Sequence, residues 1–399
     1  MSILDWLNHG FLGFSAWAMF AFTLAVTQIT IVSVTVYLHR YSSHRSLELH
    51  SGLKHFFRFW LWLTTGMVTR QWTAIHRKHH AVCETEEDPH SPVCSGIGEI
   101  FWRGTEAYQE AAKDKALLSR YGSGCPEDWL ERHVYENNTV GVVVMLFIDL
   151  LLFGVAGLTV WAVQMLWIPV FAAGVINGIG HWWGYRNFEC PDASRNIVPW
   201  GVLIGGEELH NNHHTYPNSA KLSVKPFEFD VGWFWIQLFV KLDLAWVVST
   251  GPVVERVPDK NLLDKDAAWA LLNDRFRVMA RYAEEVVAPV IEQELHKADD
   301  ATRKMYKKAR VLLCREVTLL DAKSRERLTA LVDRNADLKV IYEAHQRLQA
   351  IWAKRGGNIE EVVAELVNWC REAETSGTQA LNDFAATLKS YAIPQAQSA

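Results

Sequence analysis

Over the first 260 residues the apolar positions come in long unbroken runs. Beyond them, Ala and Leu recur every three or four residues among alternating charges, as in 305–330 and 338–372. Residues 11–38 carry no charged side chain, and at ~20 residues per bilayer crossing they predict one membrane span. Residues 139–183 have Asp149 as their only charge. That length predicts two further spans, about 138–154 and 157–182, with a turn at Gly154-Val155-Ala156-Gly157. Residues 55–75 are aromatic but carry Arg58 and Arg70, too close together for a crossing between them, so a helix lying in the interface is expected. A second interfacial helix is expected at 230–243, around Trp233 and Trp235.

Only Asp5 is charged before Arg40, whereas Arg40, Arg45, Lys54, Arg58 and Arg70 follow closely. Positive-inside bias then places Arg40 on the cytoplasmic side. The start of the chain lacks the basic stretch of a signal peptide, so the first apolar run is expected to be retained. From Asp264 onward the pattern reads as charged cytoplasmic helices, with breaks expected at Gly356-Gly357 and Ser376-Gly377. The expected architecture is all-α. An integral membrane domain (1–262) bears a cytoplasmic, histidine-rich cap, and a charged helical region (263–399) follows with no role assigned.

Composition sharpens this division. Of 85 charged side chains, 42 lie in the last 139 residues, which excludes both one uniform soluble domain and a transporter filling the chain. The net charge of −5 gives no electrostatic reason to expect nucleic acid as a partner. Six cysteines without a CxxC pair argue against a disulfide framework, a zinc ribbon or an iron–sulfur site.

The chemistry lies in histidine. Nine of the 16 fall in four groups: His39 and His44; His76, His79 and His80; His181; and His210, His213 and His214. Each group sits where an apolar segment meets the expected cytoplasmic face. An HxxHH array on a helix presents its imidazoles to one side. His39 and His44, five apart, diverge by about 140° on an α-helix, so they serve different ions or the helix ends between them. Imidazole suits iron, zinc, copper and nickel. Nine nitrogens exceed one ion and fit two. His9, His50, His55, His133, His296 and His345 lie outside the pattern and are expected at the surface or interface.

The pieces HRYSSHR (39–45), WTAIHRKHH (72–80), EEDPH (86–90), NGIGHWWGYR (177–186) and GEELHNNHHTYP (206–217) resemble the membrane fatty acyl desaturases, in their Δ9, acyl-CoA desaturase-like branch. The resemblance spans about 40–230. It implies that His39, His44, His76, His79, His80, His181, His210, His213 and His214 hold two ferrous irons, and that Asn177 reaches one of them through water. Asp88, Glu207 and Arg186 would flank the ligands. Trp72, Trp182 and Trp183, interleaved with these boxes, either line a substrate tunnel or anchor the chain at the membrane interface.

The implied reaction is the O2-dependent introduction of a cis double bond into a saturated fatty acyl chain, with an external ferredoxin, reductase or cytochrome as electron donor. A surface around Arg77 and Lys78 could dock that donor or face lipid headgroups. Two departures from the family pattern matter. Only 38 residues precede His39, where most members have two spans. Ser91-Pro92-Val93-Cys94 follows His90, where acyl-CoA-using members carry a basic pair. A membrane lipid therefore competes with acyl-CoA as substrate. A histidine-box hydroxylase, or a membrane metal-binding protein without turnover, would share the ligand set. Segments 338–352 and 367–391 resemble the helical C-terminal part of insertion-sequence transposases. No acidic triad accompanies them, so no activity is implied.

Overall fold

A computed structural model describes residues 2–299, 303, 306, 308–354 and 358–394. The chain is mostly helical and divides into two compact units, one of Met1–Arg186 with Asp192–Gly251, the other of Asn187–Pro191 with Pro252–Ala399.

In the first unit, helix α1 (Ile3–His9) is capped by Ser2 and ends at Gly10. The span expected from residue 11 starts later, as α2 (Ala16–Val32), because residues 11 and 12 are taken up elsewhere. Phe11 and Leu12 donate their backbone N–H to the carbonyls of Leu151 and Leu152 at 3.0 Å each. The Ser15 hydroxyl then caps α2. From Ser33 to Ser43 the same helix is wound in π form, each turn closing over five residues instead of four.

The two segments expected to span after residue 138 form helices, α8 and α9; between α2 and these lie α3 (Ser51–Thr65), α4 (Thr69–Val82), α5 (Pro92–Ser95), α6 (Ile97–Ala111) and α7 (Lys115–Tyr121). Helix α8 runs Asn138–Phe153, and α9 runs Gly157–Ile168 and continues as a π-wound stretch, Pro169–Ile179. Gly154, at φ +62°, turns the chain back on itself. Trp161 Nε1 donates to the Val142 carbonyl at 3.1 Å, tying the two arms together. Among the described residues, Ala16–Ser43 and Asn138–Ile179 are the two helical segments long and apolar enough to cross a membrane, the second doubled into a hairpin. Their outward faces expose Trp17, Phe20, Phe147, Leu151, Leu158 and Leu166, as a lipid surround would allow.

The interfacial helix expected at 55–75 is in fact two. Gly66 takes a left-handed conformation (φ +64°) that ends α3, and α4 starts afresh at Thr69. Arg58 is buried, because Asp128 and Glu131 both receive its guanidinium, at 2.6 and 2.8 Å. A charge that argued in the sequence against a membrane crossing is thus buried and neutralised from a distant segment. Helix α3 meets α8 closely: a Cβ at Gly141 would lie 2.2 Å from the Trp62 carbonyl oxygen. Trp60 Nε1 donates to Thr30 Oγ1 at 3.0 Å, joining α3 to α2.

Helix α10 (His210–Thr215) and α11 (Val231–Lys241) complete the unit, α11 near the limits expected for the second interfacial helix. The Asp230 carboxylate caps α11 through Trp233 N and also receives Arg40 at 2.8 Å. Leu47–Leu49 pairs antiparallel with Ala245–Val247, so the chain following His44 is bonded to the segment after α11.

The second unit consists chiefly of helices around Leu271, Tyr282, Ile341, Leu348, Leu366, Trp369 and Phe384. Its longest helices are Ala336–Ala353 and Ile359–Thr375, capped by Asn335 and Asn358. The helical pattern at 305–330 is broken at Arg315, and a new helix begins only at Ala322, capped by Asp321. The break expected at Gly356-Gly357 lies outside the described residues, while Ser376-Gly377 does separate two helices. His345 is buried, contrary to its expected surface place, and its ring lies 5.5 Å from that of Tyr282.

Candidate metal centre

All nine histidines of the four groups meet in one place. The π winding of Ser33–Ser43 makes this possible for the first pair. At roughly 4.4 residues per turn, positions five apart return to one face, and the His39 and His44 rings lie 4.7 Å apart. The divergence expected from α-helical spacing is therefore corrected. Helix α4 supplies His76, His79 and His80, α10 supplies His210, His213 and His214, and the end of the π-wound stretch after α9 leads into His181.

Two sets of four form, His39, His44, His76 and His213 in one and His79, His181, His210 and His214 in the other. His80 lies between them, grouped with His213 and His214. The Nε2 atoms turn inward: His39 to His213 at 3.1 Å, His44 to His76 at 2.8 Å, His80 to His213 at 2.8 Å, His181 to His210 at 3.0 Å and His79 to His214 at 3.4 Å.

Four Nδ1 atoms face carboxylates instead. His79 meets Asp88 at 2.9 Å, His39 meets Glu207 at 2.8 Å, His181 meets Glu84 at 3.1 Å and His214 meets Asp192 at 3.3 Å. An Nδ1–H held by a carboxylate leaves Nε2 as a bare lone pair. Lone pairs about 3 Å apart repel one another unless a cation lies among them. Metal–nitrogen bonds of ~2.1 Å set neighbouring donor atoms at about this spacing. The donor set therefore fits two metal ions held by imidazole.

The electrostatics agree. Burial pushes His44, His76, His80, His210 and His213 well below the usual imidazole range, so they stay neutral as ligands must. Burial would raise Asp88 and Asp192, but hydrogen bonds and charge from His79 and His214 hold both below the usual carboxylate range. Glu207 differs, being pushed up to about 8 by burial that Arg40 only partly offsets.

Asp88 and Glu207 thus lie directly beside His79 and His39. The Arg186 guanidinium donates to the carbonyls of Asp192 and Ser194, holding the loop that carries Asp192. Asn177 lines a cavity beside His76, Trp72 and His90. The Trp72 ring stacks on His76 at 4.8 Å.

Trp182 and Trp183 do not line that cavity. They are 58% and 60% exposed, since the chain leaves the helix just before them, which corrects the tunnel expectation for both. Arg77 is not a free docking cation either: it donates to the carbonyls of Ser42, Ser43, Tyr121 and Ser123. Sequence reasoning missed Glu84 and Asp192 as partners of ligands. Glu84 stands four residues after His80 and just ahead of EEDPH, and its φ of +63° reflects a tight turn that no composition signal announces. His90 was legible in that motif without a role; it is buried, its ring 5.0 Å from His79.

Comparison with known proteins agrees with this geometry. Residues 15–223, which include all nine histidines, match the family model described as fatty acid desaturase. Residues 268–394 match one described as transposase. A Delta-9 desaturase-like 3 protein of Arabidopsis thaliana is 30% identical over 232 residues, covering 57% of this chain and 76% of the relative. Delta-9 acyl-lipid desaturase 2 of the same plant is 26% identical over 246 residues, covering 60% and 78%. An acyl-CoA 5-desaturase of Anemone leveillei is 29% identical over 256 residues, covering 59% and 74%. The chain belongs to the fatty acid desaturase family, in its delta-9-type branch, and is a fatty acyl desaturase.

Proposed function

We propose that the two histidine sets each hold one ferrous iron, and that the enzyme places a cis double bond at the Δ9 position of a saturated fatty acyl chain. The observation that carries this reading is the convergence of nine Nε2 atoms whose partner nitrogens, in four cases, rest on carboxylates. His39, His44, His76 and His213 would take one ion, and His79, His181, His210 and His214 the other. His80 would complete either set, and Asn177 would contribute through water.

An unactivated methylene has no acidic proton for a general base to remove. Two bound irons would activate O2, which is the oxidant: in the overall balance O2, two electrons and two protons are consumed, two hydrogens leave adjacent methylenes, and two waters form. The chain's own residues position and shield this chemistry. Asp88, Glu84, Asp192 and Glu207 orient the imidazoles, and Arg186 steadies the loop of Asp192. Trp72 packs flat on His76, where it keeps water from the reacting carbons. The cavity bounded by Trp72, Ile75, Ile168 and Ala172 offers an apolar berth for the chain being oxidised.

Electrons come from a separate ferredoxin, reductase or cytochrome. The histidine centre faces the cytoplasm of a bacterial-type inner membrane, and the catalytic domain is 1–262. The carrier is a membrane lipid or CoA. Expression in a desaturase-deficient host, with gas chromatography and mass spectrometry of double-bond position, tests the reading. New Δ9 cis alkenes are expected together with two irons per purified chain; a hydroxy acid without an alkene, or zinc in place of iron, would overturn it.

A further inference from the structure

Two cavities of the first unit share one stretch of wall. The first lies against His76 and Asn177 and encloses about 620 Å3 of unfilled space, part of it open to solvent. The second carries polar side chains, among them Gln71, Gln109, Lys113 and Asn138, alongside apolar ones such as Val142 and Met165. Met67, Thr105, Tyr108 and Pro169 line both. At this shared wall the Tyr108 hydroxyl is buried and has no hydrogen-bond partner among the described residues. A buried donor left unsatisfied is unfavourable, so a bound acceptor there would be favoured.

A saturated acyl chain has one polar group, its carbonyl. Its methylenes suit the cavity beside His76, and its head group suits the polar space beyond the neck. Only the carbonyl can satisfy a hydroxyl between the two. We propose that the cavities form one substrate channel, in which Tyr108 donates a hydrogen bond to the acyl carbonyl oxygen and so fixes which carbons reach the histidines. Tyr108 is then a specificity-determining residue. The polar space has Lys113 as its cation, and Lys113 is paired with Glu110 at 2.7 Å. A glycerolipid ester suits it better than a nucleotide thioester, whose phosphates need several cations.

This inference rests on the acyl-desaturase reading, but its test reads binding and not turnover. Purified full-length chain is titrated with a labelled 1-stearoyl lysophospholipid, with the matching 1-octadecyl ether that lacks the carbonyl, and with stearoyl-CoA. The wild type is expected to prefer ester to ether by roughly three- to tenfold, the range of one neutral hydrogen bond. Tyr108→Phe should abolish that preference and leave ether binding unchanged. Met67→Trp, which fills the neck, should weaken all probes at least tenfold.

Equal affinity of the wild type for ester and ether, or a preference retained by Tyr108→Phe, would overturn the proposal. So would full binding by a folded Met67→Trp. A loss with Tyr108→Phe confined to stearoyl-CoA would overturn it as well, because the glycerolipid ester would then owe nothing to Tyr108. Absence of alkenes from the wild-type host would refute the desaturase reading while leaving these binding results to stand by themselves.

Discussion

The backbone N–H of His44 donates to the carbonyl oxygen of His39 at 3.1 Å, reaching back five residues. That π-type bond brings two side chains that an α-helix would splay into one histidine cluster. If they serve one ion, their losses are not additive. His39→Ala and His44→Ala should each lower bound iron from two per chain toward one, and the double variant should lose no more than either single. His44→Ala with His210→Ala should lose both ions. Elemental analysis decides the matter, and a double His39/His44 variant empty of iron would mean that they serve separate ions.

Glu84 holds two things at once, the Nδ1 of His181 at 3.1 Å and the backbone N–H of Ala193 at 2.7 Å. It thereby links a ligand to the loop that carries Asp192. Glu84→Leu is expected to lower iron affinity by about 10- to 100-fold. Glu84→Gln, whose amide oxygen still accepts from Nδ1, should lose much less. Competition against a coloured chelator measures the difference.

Arg40 is wholly buried against Asp230 and also donates to the carbonyls of Gly205 and Ala220. Arg40→Met strands the carboxylate and should cost about 3–5 kcal/mol. Adding Asp230→Asn removes the stranded charge and should restore part of the loss. Thermal unfolding of the detergent-purified chain should show the double variant melting above the single.

In the second unit, burial lowers His345 to about 4 from its ordinary 6.5. The unfolded chain therefore binds a proton at a pH where the folded chain does not, and stability rises with pH across that interval. The contribution is complete above about 6.5 and is lost as the pH falls toward 4. His345→Leu should flatten this dependence. Hydrogen–deuterium exchange of peptides from 336–353, taken as the ratio of wild type to variant at each pH, should diverge below 6.5; a constant ratio would contradict the assignment.

The apolar runs and the four histidine groups were legible because each depends on residue type over short stretches. The turn at Gly154 and the break at Ser376-Gly377 likewise follow from local backbone chemistry. What escaped depended on partners remote in sequence or on helical winding. The burial of Arg58 could not be read because its partners Asp128 and Glu131 lie some 70 residues away. The π form of Ser33–Ser43 is held by tertiary packing, which no propensity encodes. Glu84 and Asp192 were silent because carboxylates outnumber ligands, and only folding selects which of them face a histidine. Trp182 and Trp183 misled by adjacency to His181, since a chain leaving its helix points neighbours outward.

The short helix α1 rests on the tip of the α8–α9 hairpin, with Trp6 Nε1 donating to the Leu151 carbonyl at 3.3 Å across 145 positions of sequence. Ribosomes add ~5–20 residues per second, so the first helix waits roughly 7–30 s for its seat to be synthesised. During that interval the Trp6 indole N–H and the backbone N–H groups of Phe11 and Leu12 lack the Leu151 and Leu152 carbonyls that receive them in the folded unit. The beginning of the chain is thus among the last parts of the membrane unit to settle, and closing it over the hairpin tip marks the completed assembly of the spans.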